Sequence, residues 1–369
     1  MNLEPTDEQT ALRNTLQRFL SEKADIPTHV RPLLKDPTGT TDEVWRGLAA
    51  IGATGVLVDE RHGGAGMGMV EAGFVAEELG AALHPGPWLS SCVAVTRALA
   101  RIDGVADTAL LTGIADGTTV ATVGPLTAPR PRVDHAGVRT TLSGELGAVP
   151  DAAAADVLLV LVDEGDDVVA VAVDPHSPEV TVAPRRQIDP TRKLFDVELR
   201  NAPARRLGVL SGDAVGGLVD DVLIVSAADA LGAARAVMEL AVDYAKVRRQ
   251  FDAPIGSFQA VQHLCVDMYE TVELARGGVL HALWAADSAD SVERHLAALR
   301  AKAFASRLAT VGDTAIQVFG GIGFTWEHDA HLYLKRLLGW SALLGGSDRY
   351  LEAVGRSLAD ELGKGNRHD

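Results

Sequence analysis

Cysteine, aromatic residues and basic charge are all scarce in this 369-residue chain. Its two cysteines, Cys92 and Cys265, stand far apart and form no CxxC or zinc-ligand spacing. That excludes a disulfide framework and makes a reducing cytosol the simplest setting. With 34 Lys+Arg against 50 Asp+Glu the formal charge is −16, the wrong sign for a nucleic-acid partner, whose affinity comes from cations neutralising phosphates. No uncharged apolar run approaches the roughly 20 residues of a membrane span, and the polar, acidic opening MNLEPTDEQT does not read as a signal peptide. Aliphatic residues are plentiful instead. A hydrophobic content of 47% over this length supplies a core without staples, in two or three domains of about 150 residues each.

The texture changes twice along the chain. Residues 1–116 read as a helical domain: Asp7-Glu8-Gln9 opens a run with Leu12, Leu16, Phe19 and Leu20 at helical spacing, and Thr41-Asp42-Glu43 starts a second helix carrying Val44, Leu48 and Ile51. A third helix is expected from about Val70 to Ala82. From 117 to 212 valine is dense and the period drops to two. Asp156–Val162 and Val168–Val173, joined by turn residues, predict a β-hairpin within a mainly antiparallel β-domain. Residues 213–369 are helical again, with long helices expected to end near Arg248-Arg249, to run from about Phe258 to Ala285, and to cover about Val292 to Phe319. Shorter ones follow, and together they predict a four-helix bundle. The order helical, β, helical makes the fold class α+β in separate layers.

Most motif-like features have an ordinary explanation. Gly63–Gly68 follows no βαβ unit, Leu362-Gly363-Lys364-Gly365 lacks phosphate-loop spacing, and both read as turns. Glu327, His328, Asp329 and His331 offer acids and histidines but no third metal ligand at a recognised spacing, so no metal is expected and capping chemistry is the better reading. The informative stretch is Val247–His263. Two arginines end one helix, a Pro-Gly turn reverses the chain, and Phe-Gln-x-x-Gln begins the next. Guanidinium groups beside a helix N-terminus make an anion site, although arginines at a helix C-terminus also simply complement its dipole.

These residues resemble the acyl-CoA dehydrogenase family, whose pattern is Arg-x-x-Phe-x-x-Pro-Ile-x-x-Phe-Gln. Gln317-Val318-Phe319-Gly320-Gly321-Ile322-Gly323-Phe324 is similar to its Gln-x-x-Gly-Gly-x-Gly-Phe/Tyr motif, and Gly55–Gly66 followed by Glu77-Glu78-Leu79-Gly80 is a third match. The resemblance implies the α+β acyl-CoA dehydrogenase fold and an FAD enzyme that desaturates an acyl-CoA thioester. There a carboxylate takes the α-proton, the β-hydrogen leaves as hydride to the flavin, and an electron-transfer flavoprotein accepts the electrons. It further implies FAD at a subunit interface, with Arg248 matching the cofactor arginine and Phe251, Gln259, Gln317, Gly320 and Gly321 matching its other FAD contacts.

Three departures from the family pattern bear on the reaction. Its Thr-Glu-Pro-Gly-x-Gly-Ser-Asp run is reduced here to Val123-Gly124-Pro125-Leu126-Thr127, and its Trp-x-Thr pair to Ala148-Val149-Pro150. The usual catalytic Glu has no counterpart in Leu343-Leu344-Gly345-Gly346-Ser347. The family's alternative base position falls near Val222, which cannot take a proton; Asp220 and Asp221 precede it, and Asp221 is the candidate substitute, although one residue along a helix turns a side chain by about 100°. Such a combination resembles one subunit type of actinobacterial steroid-degrading acyl-CoA dehydrogenases, which are α2β2 heterotetramers. Three readings stay open: a homo-oligomeric dehydrogenase, a base-less accessory subunit of a heteromer, and a non-enzymatic relative serving as an interaction module.

Overall fold

A computed structural model of the protein describes residues 4–103, 107–127, 129–136 and 139–365. Some of its helices begin at side-chain caps, those of Thr41, Asp107 and Asp290. Helix α1 (Asp7–Lys23) buries Leu16 and Leu20, the residues its amphipathic pattern marks as inward. In α2 (Asp42–Ala50) the Thr41 hydroxyl accepts the Val44 N–H at 3.4 Å, as expected of an N-cap. Helix α3 (Met69–Ala81) follows a glycine loop in which Gly63 and Gly66 take positive φ. A helical run over residues 89–99 and α4 (Thr108–Ala115) complete this part.

Seven strands follow: β1 (Ala121–Gly124), β2 (Arg132–Ala136), β3 (Arg139–Pro150), β4 (Val157–Glu164), β5 (Asp167–Val173), β6 (Val180–Pro184) and β7 (Leu194–Leu210). They form one sheet in the order β1-β4-β5-β7-β3-β2, with β6 also on β7. The expected hairpin is β4–β5, closed at Glu164↔Asp167. The sheet is mainly antiparallel, as expected, and its one parallel pair among the described residues is β1 with β4. No hairpin joins those two strands, so nothing local fixes their relative direction. Leu142, Leu146, Val160, Val171, Phe195 and Val197 meet in a core beneath the sheet.

The C-terminal helices are α5 (Ala214–Val247), α6 (Gln259–Ser288), α7 (Ser291–Ala305), α8 (Leu308–Phe319), α9 (Ala330–Ala342) and α10 (Ser347–Gly365). Between α5 and α6 a two-stranded ribbon pairs β8 (Arg249–Gln250) with β9 (Ala253–Pro254). The single helix expected over 292–319 is two, α7 and α8. The break comes where the Ser306 hydroxyl turns back to the Lys302 carbonyl at 2.7 Å, a local bond that competes with helix continuation. Residues 362–365, expected as a turn, continue α10. Helix α6 packs on α7 and α8, α7 on α10, and α8 on α9.

Contacts divide the molecule into two compact units: Asp7–Val75 with His84–Val222, and the described parts of Met1–Thr6 and Leu223–Asp369 with Ala76–Leu83. The second unit depends on a close helix crossing. A Cβ on Gly232 would stand 1.8 Å from the Glu77 carbonyl oxygen, and one on Gly80 would stand 2.0 Å from that of Asp229. Only glycine lets the end of α3 and the middle of α5 approach backbone to backbone. Gly232→Ala is therefore expected to lose about 1–3 kcal/mol in urea unfolding. Gly355→Ala, at an exposed α10 position with nothing near the added methyl, should gain up to about 1 kcal/mol. Equal effects of the two substitutions would refute the crossing as the cause.

Candidate functional site

The anion-site residues gather where α5 ends. Arg248 still donates its N–H to Tyr244 at 2.8 Å, and its carbonyl then accepts the Ile255 N–H at 2.8 Å. The ribbon between them is a two-residue hairpin whose tip, Phe251 and Asp252, has φ of 51° and 61°. Two consecutive positive φ values fit the primed turn that matches strand twist, a turn usually made by Asn-Gly. The Arg249 guanidinium donates to the Asp252 carbonyl and braces it. A phenylalanine in this conformation is strained, and strain that survives at a surface turn points to a role. Phe251 is 90% exposed and touches only the edge of Phe258 among the aromatic rings described, with centroids 6.2 Å apart.

Helix α6 starts just beyond this tip. Phe258 occupies its N-cap position without any side-chain cap, so the first turn presents N–H groups to whatever lies outside. Gln259 is exposed there, as are Arg248 and Arg249. The second motif is brought alongside through Tyr244 of α5 and Phe319 of α8, whose rings pack at 5.1 Å. Directly after Phe319 the chain turns at Gly320, φ 66°, and neither Gly320 nor Gly321 has any atom within 4 Å of where a Cβ would be. Gln317 is exposed on the last turn of α8. Two arginines, an uncapped helix N-terminus, two amides and open glycine backbone thus belong to one region, and this donor set fits an extended, anionic dinucleotide.

The acidic candidate has a different setting. Asp221 is fully buried, and its Oδ2 receives Arg97 Nε and an Arg101 terminal nitrogen, each at 2.7 Å. Its Oδ1 is buried with no hydrogen-bond partner. Val222 is buried as well. A carboxylate clamped by two guanidinium groups and closed off from solvent is an ion-pair anchor. This is not the open setting expected of a base at Asp221, and the sequence could not reveal it, because both arginines lie more than 100 positions away in the chain. The Leu343–Ser347 segment puts Leu344 at φ 54° and Gly345 at φ 114°, and its only hydroxyl belongs to Ser347.

The remaining motif residues have structural work. The His328 ring nitrogen Nδ1 accepts the Ala330 N–H at 3.1 Å at the start of α9, which is capping. His331 packs against Trp326 at 4.6 Å, and no group of three metal-ligating side chains occurs among the described residues. Ala148, where the family has tryptophan, lies at a β-bulge with φ 56°.

Sequence reasoning missed a buried charge network. Glu77 Oε1 takes Arg235 Nε at 3.2 Å and Arg276 Nη1 at 3.0 Å, while Glu78 takes Arg235 Nη2 at 3.1 Å. Burial works against the charge on Arg235, but Glu78 and Glu77 more than offset it and raise its pKa. Asp229 pairs with Arg336 at 3.1 Å in the same unit. The signal was present in Glu77-Glu78, two acids inside an apolar helix face, but not the partners. For Asp221→Asn we expect a loss of about 3 kcal/mol in denaturant unfolding, because two half-buried guanidinium groups lose a fully buried counter-charge. A variant of unchanged stability would show that the clamp is not an anchor.

Family models for the acyl-CoA dehydrogenase N-terminal and C-terminal domains match residues 6–108 and 224–359. The chain is 37% identical over 361 residues to acyl-CoA dehydrogenase FadE34 of Mycobacterium tuberculosis, covering 95% of this chain but 48% of that protein, so it spans about half of that relative's length. With acyl-CoA dehydrogenase IpdE2 of the same organism identity is 33% over 346 residues, covering 92% of this chain and 94% of the relative. Among solved structures, the ChsE4–ChsE5 complex from M. tuberculosis superposes with a TM-score of 0.87 at 27% identity, covering 97% of this chain and 99% of that one. The chain therefore belongs to the acyl-CoA dehydrogenase family.

Proposed function

We propose that this chain is an FAD-binding subunit of an acyl-CoA dehydrogenase that desaturates an acyl-CoA at its α,β bond, and that a homologous partner subunit supplies the catalytic base. The observation that carries this reading is the engagement of Asp221 with Arg97 and Arg101, together with a Leu343–Ser347 segment that contains no carboxylate. General base catalysis is commonly worth about 10²–10⁴-fold, so a subunit without a base needs one from elsewhere. The relationship to a solved two-component complex, ChsE4–ChsE5, supports the heteromeric part of the reading.

In this reading Arg248 and the N-terminus of α6 hold the cofactor's pyrophosphate, Gln259 and Gln317 donate amide hydrogens to it, and Gly320 and Gly321 let it approach the backbone. Phe251 covers an apolar part of the same ligand. FAD supplies the hydride acceptor for the oxidation, and an electron-transfer flavoprotein is the acceptor in turn. Local guanidinium groups and helix ends allow a chain of charge −16 to bind an anion, because potential at a site follows near charges more than net charge. Exposed Phe251, Val266, Tyr269, Phe324 and Trp326 supply apolar surface for a subunit contact, homologous or identical.

The test is reconstitution. The chain purified alone should show little turnover, and co-expression with a glutamate-bearing homologue should give a yellow complex whose flavin bleaches on adding an acyl-CoA. Bleaching by the chain alone would overturn the partner-base reading. In the complex, Arg248→Ala should weaken FAD retention about tenfold or more, the usual worth of a charge-assisted contact. Unchanged retention would remove Arg248 from the pyrophosphate site.

A further inference from the structure

Lys302 is a fully buried lysine on α7. Its Nζ donates to the Trp340 carbonyl, lies 3.3 Å from the Ser341 carbonyl oxygen, and stands 3.9 Å from the centroid of the Trp340 ring. Those carbonyls belong to the last turn of α9, so the side chain caps the point where α9 gives way to Leu343–Gly346. The segment is tied again on its far side, where Leu344 O accepts Tyr350 Oη at 2.9 Å and faces an Arg349 guanidinium nitrogen at 3.4 Å.

Among the described residues no carboxylate forms an ion pair with the ammonium. Described charged groups on the surrounding helices have other partners: on α10, Arg349 lies by the Tyr350 ring, Asp348 faces the Ser347 hydroxyl at 3.5 Å and Glu352 faces Arg356 at 3.8 Å; on α6, His281 meets Glu293 of α7 at 3.6 Å, and Glu293 also takes Arg300 at 3.0 Å. On α9, Arg336 pairs with Asp229 and Lys335 lies over Trp326. Two carbonyl dipoles and an aromatic face replace only part of the water that an ammonium group holds in solution.

We propose that Lys302 is a pH-sensitive latch on this corner: the closed corner holds the side chain away from water, and the corner opens when the ammonium regains its solvent shell. The sense of the pH dependence follows from linkage. Burial lowers the Lys302 pKa from 10.5 to about 7 in the closed corner, whereas a solvated lysine keeps its ordinary value. Between these limits the closed form binds fewer protons, so rising pH favours closure, by about tenfold in the opening constant per pH unit. Below about 7 both forms are protonated and the dependence levels off. The latch stands apart from the FAD reading, since it requires no cofactor. It governs the segment aligned with the family's base-bearing loop.

Hydrogen–deuterium exchange of the full chain, corrected for intrinsic rates and followed over residues 340–347 from pH 6 to 9.5, tests it. Protection should rise about tenfold per unit above pH 7, while peptides from the β4–β5 hairpin should not follow that slope. Lys302→Met should flatten the profile, because no proton is left to exchange with solvent. Lys302→Arg, charged throughout the range, should also be flat but less protected. A wild-type profile without slope overturns the latch even if neither variant folds, and so does a slope that survives in Lys302→Met.

Discussion

The C-terminal unit rests on one close approach, the glycine crossing of α3 and α5. Gly80 and Gly232 each face the other helix's backbone, and that proximity decides what surrounds them. It brings Glu77 and Glu78 against Arg235, with Arg276 of α6 completing the network. Tyr333 of α9 then donates to the Ala81 carbonyl at 2.7 Å, satisfying the end of α3. Buried charges of this kind contribute little net stability compared with apolar packing, but each partner left alone would be costly. The network therefore penalises any other pairing of these helices, which is how it specifies the crossing.

A second consequence concerns where α5 stops. The helix buries apolar residues over most of its 34-residue length, and its register brings Tyr244 onto Phe319. That contact sets the arginine hairpin and the glycine turn after α8 side by side. In the proposed cofactor site the two motifs bring different things. The hairpin offers charge and an uncapped helix start, while the turn offers backbone without side chains. Family membership and this shared geometry point in the same direction.

Buried ionisable groups serve the molecule in contrasting ways. Asp221 is held between two arginines and so anchors the N-terminal unit. Lys193 in that unit reaches three carbonyls, those of Leu33, Leu34 and Pro190, at 2.7–3.1 Å. Lys302 has carbonyls and a ring but no anion among the described residues. The first arrangement keeps a charge in place; the last leaves it close to neutrality, where small changes in solvent exposure alter its proton affinity.

Local signals were legible in the sequence because their causes are local. Thr41 caps α2 through its own hydroxyl, the valine alternation of β4 and β5 follows from a two-residue period, and the arginine and Gly-Gly motifs lie within single turns of chain. The parallel β1–β4 pairing and the α7–α8 break were not legible, since competing local geometries were equally available to those residues. Nor was the setting of Asp221 or Lys302. A carboxylate at a helix start reads as base, cap or ion pair with equal ease until the fold brings Arg97 and Arg101 to it. Composition and spacing determined which elements form and which family they build. Only tertiary structure decided which charges are buried and beside what, because desolvation and ion pairing depend on neighbours distant in the chain.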